Sequence, residues 1–497
     1  MTSLPPWWRR LVDSRWTPVA LVGVFVIAIV FTITLHGVWI DESATLLLVG
    51  PHSYGELLDY TTYDVHPPLW YLILKPWLQV FGNTVLAARS QSAVFMIAAV
   101  IVWYHFVRTR YSRPVALLGL ALTVTNPMVI HYAVEGRMYA CGILLTAITT
   151  TLITGRHRRR WFAYWPLAVA MLYVHFFLTF VLAAQFLYLL LDRKDQGVTI
   201  RWLVIYGASI VLAFAPWLPL AFQMTSGVVS RGFWIPPVVP SRVEGYVLHA
   251  FLHRLDADLV GWRVFPTLIY LATFTAVLIR AGRNGGPSRG VLWCLVGVPW
   301  LFLLALSSKI AVFHPRYVIF GLLALITLMA FGALRLTPRW RAFAIVVLLV
   351  GHIVGYREMR SFGYNDHQPR YWAMKKIAKE VSRPVNGEQA TIVGTWLFTF
   401  FDAKVTLGHK MHVVHLRENP PTPGTFPDVM YYDHPEWVVD KLEDVSTRYA
   451  WTLEDVLRPP TEVPSNWKLL RTHRRGYART RLFEILPGTA GGASATR

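Results

Sequence analysis

The sequence predicts a polytopic α-helical membrane protein that carries a C-terminal extracytoplasmic α/β domain. Two features of the composition indicate the membrane: 54% of the 497 residues are hydrophobic and only 15% are charged, against about 25% in ordinary soluble domains. The 48 Lys and Arg residues outnumber the 28 Asp and Glu residues, which in a soluble protein would suggest nucleic-acid binding. Here the basic residues alternate with long apolar runs, so we expect no nucleic-acid partner.

The first apolar run, residues 17–39, contains no charged side chain. At ~1.5 Å per residue it is long enough to cross a ~30 Å hydrocarbon core, and it is too long for the apolar core of a signal peptide. We therefore predict a retained first transmembrane helix. Ten further crossings are predicted over residues 84–107, 113–133, 135–154, 161–175, 176–191, 200–222, 262–280, 290–307, 316–334 and 340–356.

The loops between these runs differ in charge, and this difference predicts the orientation. Basic clusters occur at residues 9–15, 108–113, 156–160, 193–201, 280–289 and 335–341. Cytoplasmic loops are rich in Lys and Arg, so these six clusters, and with them the N-terminus, are predicted to face the cytoplasm. Residues 40–66, 223–261, 308–315 and 357 onward are then predicted to lie outside a plasma (inner) membrane.

The same rule decides two ambiguous stretches. The run 161–191 has basic clusters at both ends, so it is predicted to form two short crossings that break near His175. The run 67–81 contains Pro67, Pro68 and Pro76, and counting it as a crossing would place the next basic cluster outside. We predict a juxtamembrane or re-entrant element there, which gives about eleven crossings within a range of 11–13.

The composition changes after residue 356, which divides the predicted transmembrane domain 1–356 from an α/β domain over 357–487. Its predicted elements are a helix (Tyr371–Val381), a strand (Thr391–Phe400), a longer helix (Glu436–Val456) and two strands (Trp467–Thr472 and Ala478–Leu486). The tail 488–497 is predicted to be disordered. Cys141 and Cys294 both lie in apolar runs, so neither a disulfide framework nor a cysteine metal site is expected.

Acidic residues gather just after the first apolar run, where Asp41 and Glu42 are adjacent. At the height of the lipid headgroups, two carboxylates can accept a proton from a hydroxyl or hold a cation. The alternative is that they only lie at a solvated helix end. Further along the same loop, the prolines of the run Asp64-Val-His66-Pro-Pro hold His66 in an extended turn.

An acidic pair after the first span, followed by an HPPLWY element, resembles the GT-C class of polyprenyl-phosphate-sugar-dependent glycosyltransferases, which are related to protein O-mannosyltransferases and lipid A aminoarabinose transferases. The resemblance continues in two short motifs of this sequence. They are Glu135-Gly-Arg137-Met-Tyr139, similar to the family's Glu-x-Arg-x-Tyr element, and His314-Pro-Arg316-Tyr317, similar to its Arg-Tyr element. The resemblance implies a GT-C-like fold with a catalytic first loop over residues 40–83.

The resemblance also implies roles for these residues. Asp41 and Glu42 would be the catalytic residues, with Asp41 as the general base and Glu42 as its neighbour or stand-in, and basic groups would bind the phosphate of a polyprenyl-phosphate sugar donor. The acceptor would be a membrane lipid, a cell-envelope glycan or a protein hydroxyl. No cofactor is implied, and a divalent metal is not expected. The substrate-binding residues it suggests are Asp64, His66, Glu135, Arg137, Tyr139, Lys309, His314, Arg316 and Tyr317.

Other interpretations of the same residues remain open at this stage. Lys309 and Arg316 also fit side chains that extend to lipid headgroups, and Arg137 also fits a simple partner of Glu135. His249 and His253 have the spacing of two zinc ligands on a helix, but their segment fits an interfacial amphipathic helix more simply. Rival functions are a transporter or flippase of a lipid-linked or anionic solute, and a metal-dependent transferase.

Overall fold

The computed structural model describes residues 6–35, 37–62, 64–157, 159–223, 264–283, 289–362, 377–395, 397–417, 434–456, 459–475 and 478–487. The chain divides into two compact units. The first contains Met1–Thr34, Val65–Val80 and Leu86–Ser361, and the second contains Leu35–Asp64, Phe81–Val85 and Phe362–Arg497. Most of the loop 40–83, which the sequence assigns to the transmembrane domain, therefore groups with the C-terminal residues.

Helices account for nearly all of the described residues of the first unit and for part of the second. In chain order they are α1 (Pro6–Asp13), α2 (Thr17–Ile33), α3 (Ile40–Val49), α4 (Tyr54–Tyr60), α5 (Leu69–Phe81), α6 (Val85–Arg110), α7 (Arg113–Thr125), α8 (Pro127–Ala133), α9 (Tyr139–Thr154), α10 (Arg160–Val174), α11 (Leu178–Leu191), α12 (Arg193–Gln196), α13 (Ile200–Phe214), α14 (Val264–Gly282), α15 (Gly290–Ser307), α16 (Leu322–Leu334), α17 (Pro338–Phe362) and α18 (Leu397–Leu407). A 3₁₀ helix, Pro315–Gly321, leads directly into α16.

Within the described residues, six helical segments are long and apolar enough to cross a membrane: Val85–Arg110, Ile200–Gln223, Phe265–Gly282, Gly290–Ser307, Pro315–Leu334 and Pro338–Arg357. The shorter helices α2, α9 and α11 are also apolar. Each of the eleven predicted apolar runs contains a helix, so the polytopic helical fold is confirmed. The number and direction of the crossings stay predictions.

One predicted span, residues 113–133, is bent. Helices α7 and α8 meet at an angle of 64°, because the Asn126 side chain accepts hydrogen bonds from the backbone N–H groups of Met128 (3.0 Å) and Val129 (3.1 Å) and so caps a new helix. Pro127 suits the first position of α8, because a backbone N–H there would have no partner within the helix and proline has none. The buried His352 of α17 contacts the Thr125 hydroxyl at 3.0 Å, which ties the bend to a distant helix.

The predicted break near His175 is confirmed. Helix α10 ends at Val174 and α11 begins at Leu178, with His175 in an extended conformation between them. Its Nδ1 atom accepts a hydrogen bond from the backbone N–H of Phe177 at 3.1 Å. The other ambiguous stretch, residues 67–81, contains the 13-residue helix α5, which at ~1.5 Å per residue is too short to cross a ~30 Å core.

The second unit contains a mixed six-stranded sheet. Its strands are β1 (Thr391–Gly394), β2 (Val413–Leu416), β3 (Val438–Val439), β4 (Tyr449–Asp455), β5 (Trp467–Arg475) and β6 (Ala478–Ile485), in the order β3-β2-β1-β4-β6-β5. Strands β1 to β4 pair in parallel, and β6 pairs antiparallel with both β4 and β5. Val393, Val414, Ala450, Trp467 and Phe483 form its buried core. The predicted α/β class is confirmed.

Two predicted elements of this unit are wrong. Glu436–Val456 is not a helix, because tertiary pairing overrides its helical pattern: Tyr449–Asp455 forms β4, between β1 and β6. The strand predicted over Thr391–Phe400 ends at Gly394, where a Cβ atom would lie 2.7 Å from the Cα of Phe400. Glycine therefore permits the close approach with which the chain turns into α18.

Other predicted elements of this unit agree with the structure or fall outside it. The two C-terminal strands form as predicted over β5 and β6. The helix predicted over Tyr371–Val381 is present at residues 377–381, and its earlier part lies outside the described residues. Residues 224–261 of the predicted loop 223–261, which include His249 and His253, also lie outside the described residues, as does the tail 488–497.

Candidate functional site

The two adjacent carboxylates of the second unit have different environments. Helix α3 begins at Ile40, directly after Trp39. The Glu42 carboxylate accepts a hydrogen bond from the backbone N–H of Trp39 at 3.0 Å. Glu42 is fully buried, whereas Asp41 is half-buried. Glu42 therefore caps the helix, and Asp41 is the one of the two whose side chain reaches the surface. Asp64, also half-buried, belongs to the same unit.

Arg137 of the first unit lies in the turn between α8 and α9. Its guanidinium donates hydrogen bonds to His66 Nδ1 (3.3 Å) and to the Tyr71 hydroxyl (3.4 Å), and its central carbon lies 5.8 Å from the centre of the Trp70 ring. The HPPLWY element thus surrounds the arginine of the Glu-x-Arg-x-Tyr motif with one imidazole and two aromatic rings. These contacts give Arg137 partners beyond Glu135.

Glu135 lies in the same turn and has its own partner. Its carboxylate is 3.3 Å from Nε2 of His131, one turn back on α8, and both side chains are buried. The backbone also closes tightly here, because the Arg137 N–H donates to the Glu135 carbonyl at 2.7 Å. The turn therefore holds Glu135 and Arg137 in fixed positions at the end of the bent pair α7–α8.

Arg316 is positioned by the residue before the 3₁₀ helix Pro315–Gly321. His314 Nδ1 accepts hydrogen bonds from both the backbone N–H and the side-chain Nε of Arg316, each at 3.2 Å. The Arg316 side chain is only 5% exposed, and its guanidinium carbon lies 5.8 Å from the centre of the neighbouring Tyr317 ring. A guanidinium held by its Nε keeps its two terminal nitrogens together on one side, which suits a phosphate or a carboxylate.

His175 connects these two arginine sites through ring contacts. Its ring centre is 5.5 Å from that of His66, 5.6 Å from that of Tyr139 and 6.1 Å from that of Tyr317. It lies among three motifs that are spread over residues 66–317 of the chain, but it belongs to none of them. The signal in the sequence is indirect: a histidine stands at a break between two short apolar helices.

The structure thus brings six predicted site residues into one cluster in the first unit, which we call the arginine cluster: His66, Arg137, Tyr139, His314, Arg316 and Tyr317. Glu135 is in the same turn as Arg137. Lys309 is exposed on the turn after α15, where its backbone N–H donates to Leu306. Asp41, Glu42 and Asp64 belong to the second unit.

The chemistry of the arginine cluster favours an anionic group. Two guanidinium groups that are 4–5% exposed carry permanent charge in a largely dehydrated environment, and tyrosine hydroxyls and histidines surround them. Burying a charged side chain in the membrane part of a protein is costly, and such residues are typical of functional sites in membrane proteins. Within the described residues, no group of three or more His, Cys, Asp or Glu side chains is arranged to hold a metal ion; the expectation that no metal is required stays a prediction.

Comparisons with known proteins agree with the motifs. Residues 65–220 match the family model of dolichyl-phosphate-mannose-protein mannosyltransferases, and these residues include the HPPLWY and Glu-x-Arg-x-Tyr elements. No curated protein shows a significant sequence match.

The solved structures extend the likeness over nearly the whole chain. The structure resembles ArnT from Cupriavidus metallidurans in the apo state, with a TM-score of 0.57 and 13% sequence identity over 93% of this chain and 97% of that chain. It resembles the same protein bound to undecaprenyl phosphate with a TM-score of 0.57 and 14% identity, over 95% and 99% of the two chains. The resemblance inferred from the motifs is thus confirmed: residues 65–220 match the family model of dolichyl-phosphate-mannose-protein mannosyltransferases, and the chain shares its fold with ArnT.

Proposed function

We propose that this protein is an integral membrane glycosyltransferase. It transfers a sugar, a pentose or a hexose, from a polyprenyl-phosphate donor to a hydroxyl group of an extracytoplasmic lipid, glycan or protein, with inversion at the anomeric carbon. The observation that carries this proposal is the arginine cluster, in which two buried guanidinium groups from distant motifs share an aromatic surround. The family match over residues 65–220 supports the same reaction.

The proposed reaction is a single displacement. The acceptor hydroxyl loses its proton to Asp41 as its oxygen bonds to the anomeric carbon, and the bond from that carbon to the phosphate oxygen breaks. Polyprenyl phosphate leaves as an anion, whose new negative charge needs cationic hydrogen-bond donors. Arg137 and Arg316 supply these donors, with Lys309 as a further cation. The hydroxyls of Tyr139 and Tyr317 donate to the same phosphate.

The remaining predicted residues position these groups. Glu42 caps α3 and so holds the first turn that carries Asp41. His66 accepts from Arg137 and His314 accepts from Arg316, which orients both guanidinium groups. Glu135 shares the turn of Arg137, and Asp64 lies close to His66 in the chain. We propose that the C-terminal unit faces the outside of the plasma membrane and that the N-terminus is cytoplasmic.

A binding measurement with undecaprenyl phosphate tests the phosphate site directly. The full chain is reconstituted in nanodiscs, and the lipid is titrated against wild type, Arg316→Ala, Arg316→Lys and Arg137→Ala. A hydrogen bond to a charged group contributes ~1.5–3 kcal/mol, so each alanine variant is expected to bind roughly 10- to 150-fold more weakly. Arg316→Lys keeps the charge, loses the Nε contact to His314, and should be intermediate.

The control variant is Arg339→Ala, because Arg339 is exposed at the start of α17. It should bind undecaprenyl phosphate as wild type does. Wild-type affinity in both Arg316→Ala and Arg137→Ala would contradict the proposed phosphate site. Binding that depends on both arginines, combined with movement of the lipid across the bilayer and no sugar transfer, would favour a flippase instead.

A further inference from the structure

Two histidines from distant parts of the chain meet in the second unit. His52 lies between α3 and α4, and His434 immediately precedes the 3₁₀ turn Pro435–Trp437. Their Nε2 atoms are 3.1 Å apart, and the His52 side chain is only 8% exposed. The proposed glycosyl transfer does not use either residue.

Hydrogen bonds on the opposite side of each ring determine which nitrogen carries the proton. His52 Nδ1 lies 2.8 Å from the carbonyl oxygen of Leu48, and His434 Nδ1 lies 3.1 Å from a carboxylate oxygen of Glu436. Carbonyl and carboxylate oxygens only accept, so Nδ1 must donate in both rings. Each neutral ring therefore directs an unprotonated Nε2 lone pair at the other, and two lone pairs at this distance repel unless a cation lies between them.

The spacing fits a metal ion of the zinc type. Zinc–nitrogen distances of ~2.0–2.1 Å and a tetrahedral angle place two histidine nitrogens about 3.3 Å apart, close to the observed 3.1 Å. Histidines that bind metals usually donate their other ring N–H to a carboxylate or a backbone carbonyl. Both arrangements are present here, one on each histidine.

The rings are also held in these orientations by their neighbours. Trp437 stacks on His434, with ring centres 3.9 Å apart and an angle of 7° between the planes. Tyr60 contacts the His52 ring edge-on at 4.4 Å. Aromatic contacts of this kind limit the rotation of both rings. The two Nε2 atoms therefore already face each other, and a metal ion could bind them without moving either ring.

We propose that His52 and His434 form a binding site for a divalent zinc-type ion, coordinated by their two Nε2 atoms, with water completing the coordination. Within the part of the chain that the structure describes, no third His, Cys, Asp or Glu joins them in a metal-holding group. The ion would connect the loop that follows α3 to the segment before β3. Its role would be structural, and sugar transfer would not pass through it.

Zinc binding by the full chain in nanodiscs tests the site. Metal-free protein is titrated with Zn²⁺ by calorimetry, and wild type is expected to bind one equivalent more than His52→Ala and His434→Phe. The phenylalanine variant keeps the stacking on Trp437 and so separates loss of a ligand from loss of the fold. Glu436→Gln keeps both ligands and should weaken the affinity by about 10- to 100-fold. His412→Ala, at an exposed histidine of the same unit, is the matched control and should bind as wild type does.

X-ray absorption at the zinc edge adds a direct structural readout. The wild-type protein should show imidazole nitrogens at ~2.0–2.1 Å, with amplitude that falls in His434→Phe. Equal zinc stoichiometry in wild type, His52→Ala and His434→Phe would overturn the proposal, as would the absence of zinc binding by wild type. In either case the cation between the two Nε2 atoms would be a proton.

Discussion

Asp41 and Glu42 are adjacent, and the structure predicts opposite consequences for their substitution. Asp41→Asn keeps the shape of the side chain and removes its basicity. A positioned general base typically contributes ~10²- to 10⁴-fold to the rate, so the transfer rate should fall by that factor while the stability and the affinity for undecaprenyl phosphate stay unchanged.

Glu42 is expected to act on stability. Its carboxylate accepts the Trp39 N–H at 3.0 Å and is fully buried, so Glu42→Ala leaves a buried donor without its acceptor and removes a helix cap. These losses destabilise the second unit by about 1–3 kcal/mol. Glu42→Gln retains a carbonyl oxygen that can accept the same hydrogen bond, so it should be nearly as stable as wild type and lose much less activity than Asp41→Asn.

The assay combines two measurements on the same nanodisc samples. Thermal unfolding reports stability, and transfer of radiolabelled sugar from membrane-extracted polyprenyl-phosphate donors to endogenous acceptors reports activity. If Glu42→Gln lost activity as completely as Asp41→Asn at unchanged stability, Glu42 would be the base. If Asp41→Asn transferred sugar at a rate near that of wild type, the assignment would pass to Glu42 or Asp64.

Three further predictions concern topology, pH and packing. A cysteine introduced at the exposed Ser465 should react with an impermeant reagent in intact cells, and one at the exposed His157 only after permeabilisation; the reverse pattern would place Asp41 in the cytoplasm. Burial lowers the pKa of His415 on β2 to about 4, below the ~6.5 of an unfolded chain. The unfolded state therefore binds the extra proton first, and up to ~3 kcal/mol of stability should be lost as the pH falls from 6.5 to 4. Thermal unfolding of the full chain at pH 7 and pH 4 measures this loss, which His415→Phe should reduce; equal losses in both proteins would refute it. A Cβ on Gly332 of α16 would overlap the carbonyl oxygen of Val277 on α14, so Gly332→Ala should destabilise the first unit by ~1–3 kcal/mol, whereas Gly23→Ala, in open space on α2, should not.

The transmembrane elements were predictable because length and hydropathy decide them. Every apolar run of the sequence contains a helix, and the break at His175 follows from the need to keep basic clusters on one side. The bend at Asn126 was not predicted, because it depends on a side chain capping a new helix inside an apolar run. Gly394 had a similar effect in the second unit, where a local close approach ended a strand that the apolar pattern continues.

The candidate site was predictable only in part. The resemblance of three short motifs to a known family identified His66, Arg137 and Arg316, and the guanidinium groups of the two arginines have the chemistry of phosphate binding. His175 was missed because its contacts join segments that only the three-dimensional fold brings together. The pairing of His52 with His434 was missed for the same reason: 382 positions separate them, and neither lies in a recognisable ligand pattern.

The second unit combines segments that are far apart in the chain, and this has a consequence for biosynthesis. Helix α3 buries Leu46–Val49 within a unit where it contacts α18, yet about 300 residues of the first unit lie between Asp64 and the C-terminal segment. Helix α18 ends 358 residues after α3, so at ~5–20 residues per second the ribosome completes the partner of α3 roughly 18–72 s after the helix itself. During that interval the apolar side of α3 needs another cover, from lipid or a chaperone. A chain that stopped before residue 362 would retain each residue proposed for transfer and would still lack the surface on which the helix of Asp41 folds.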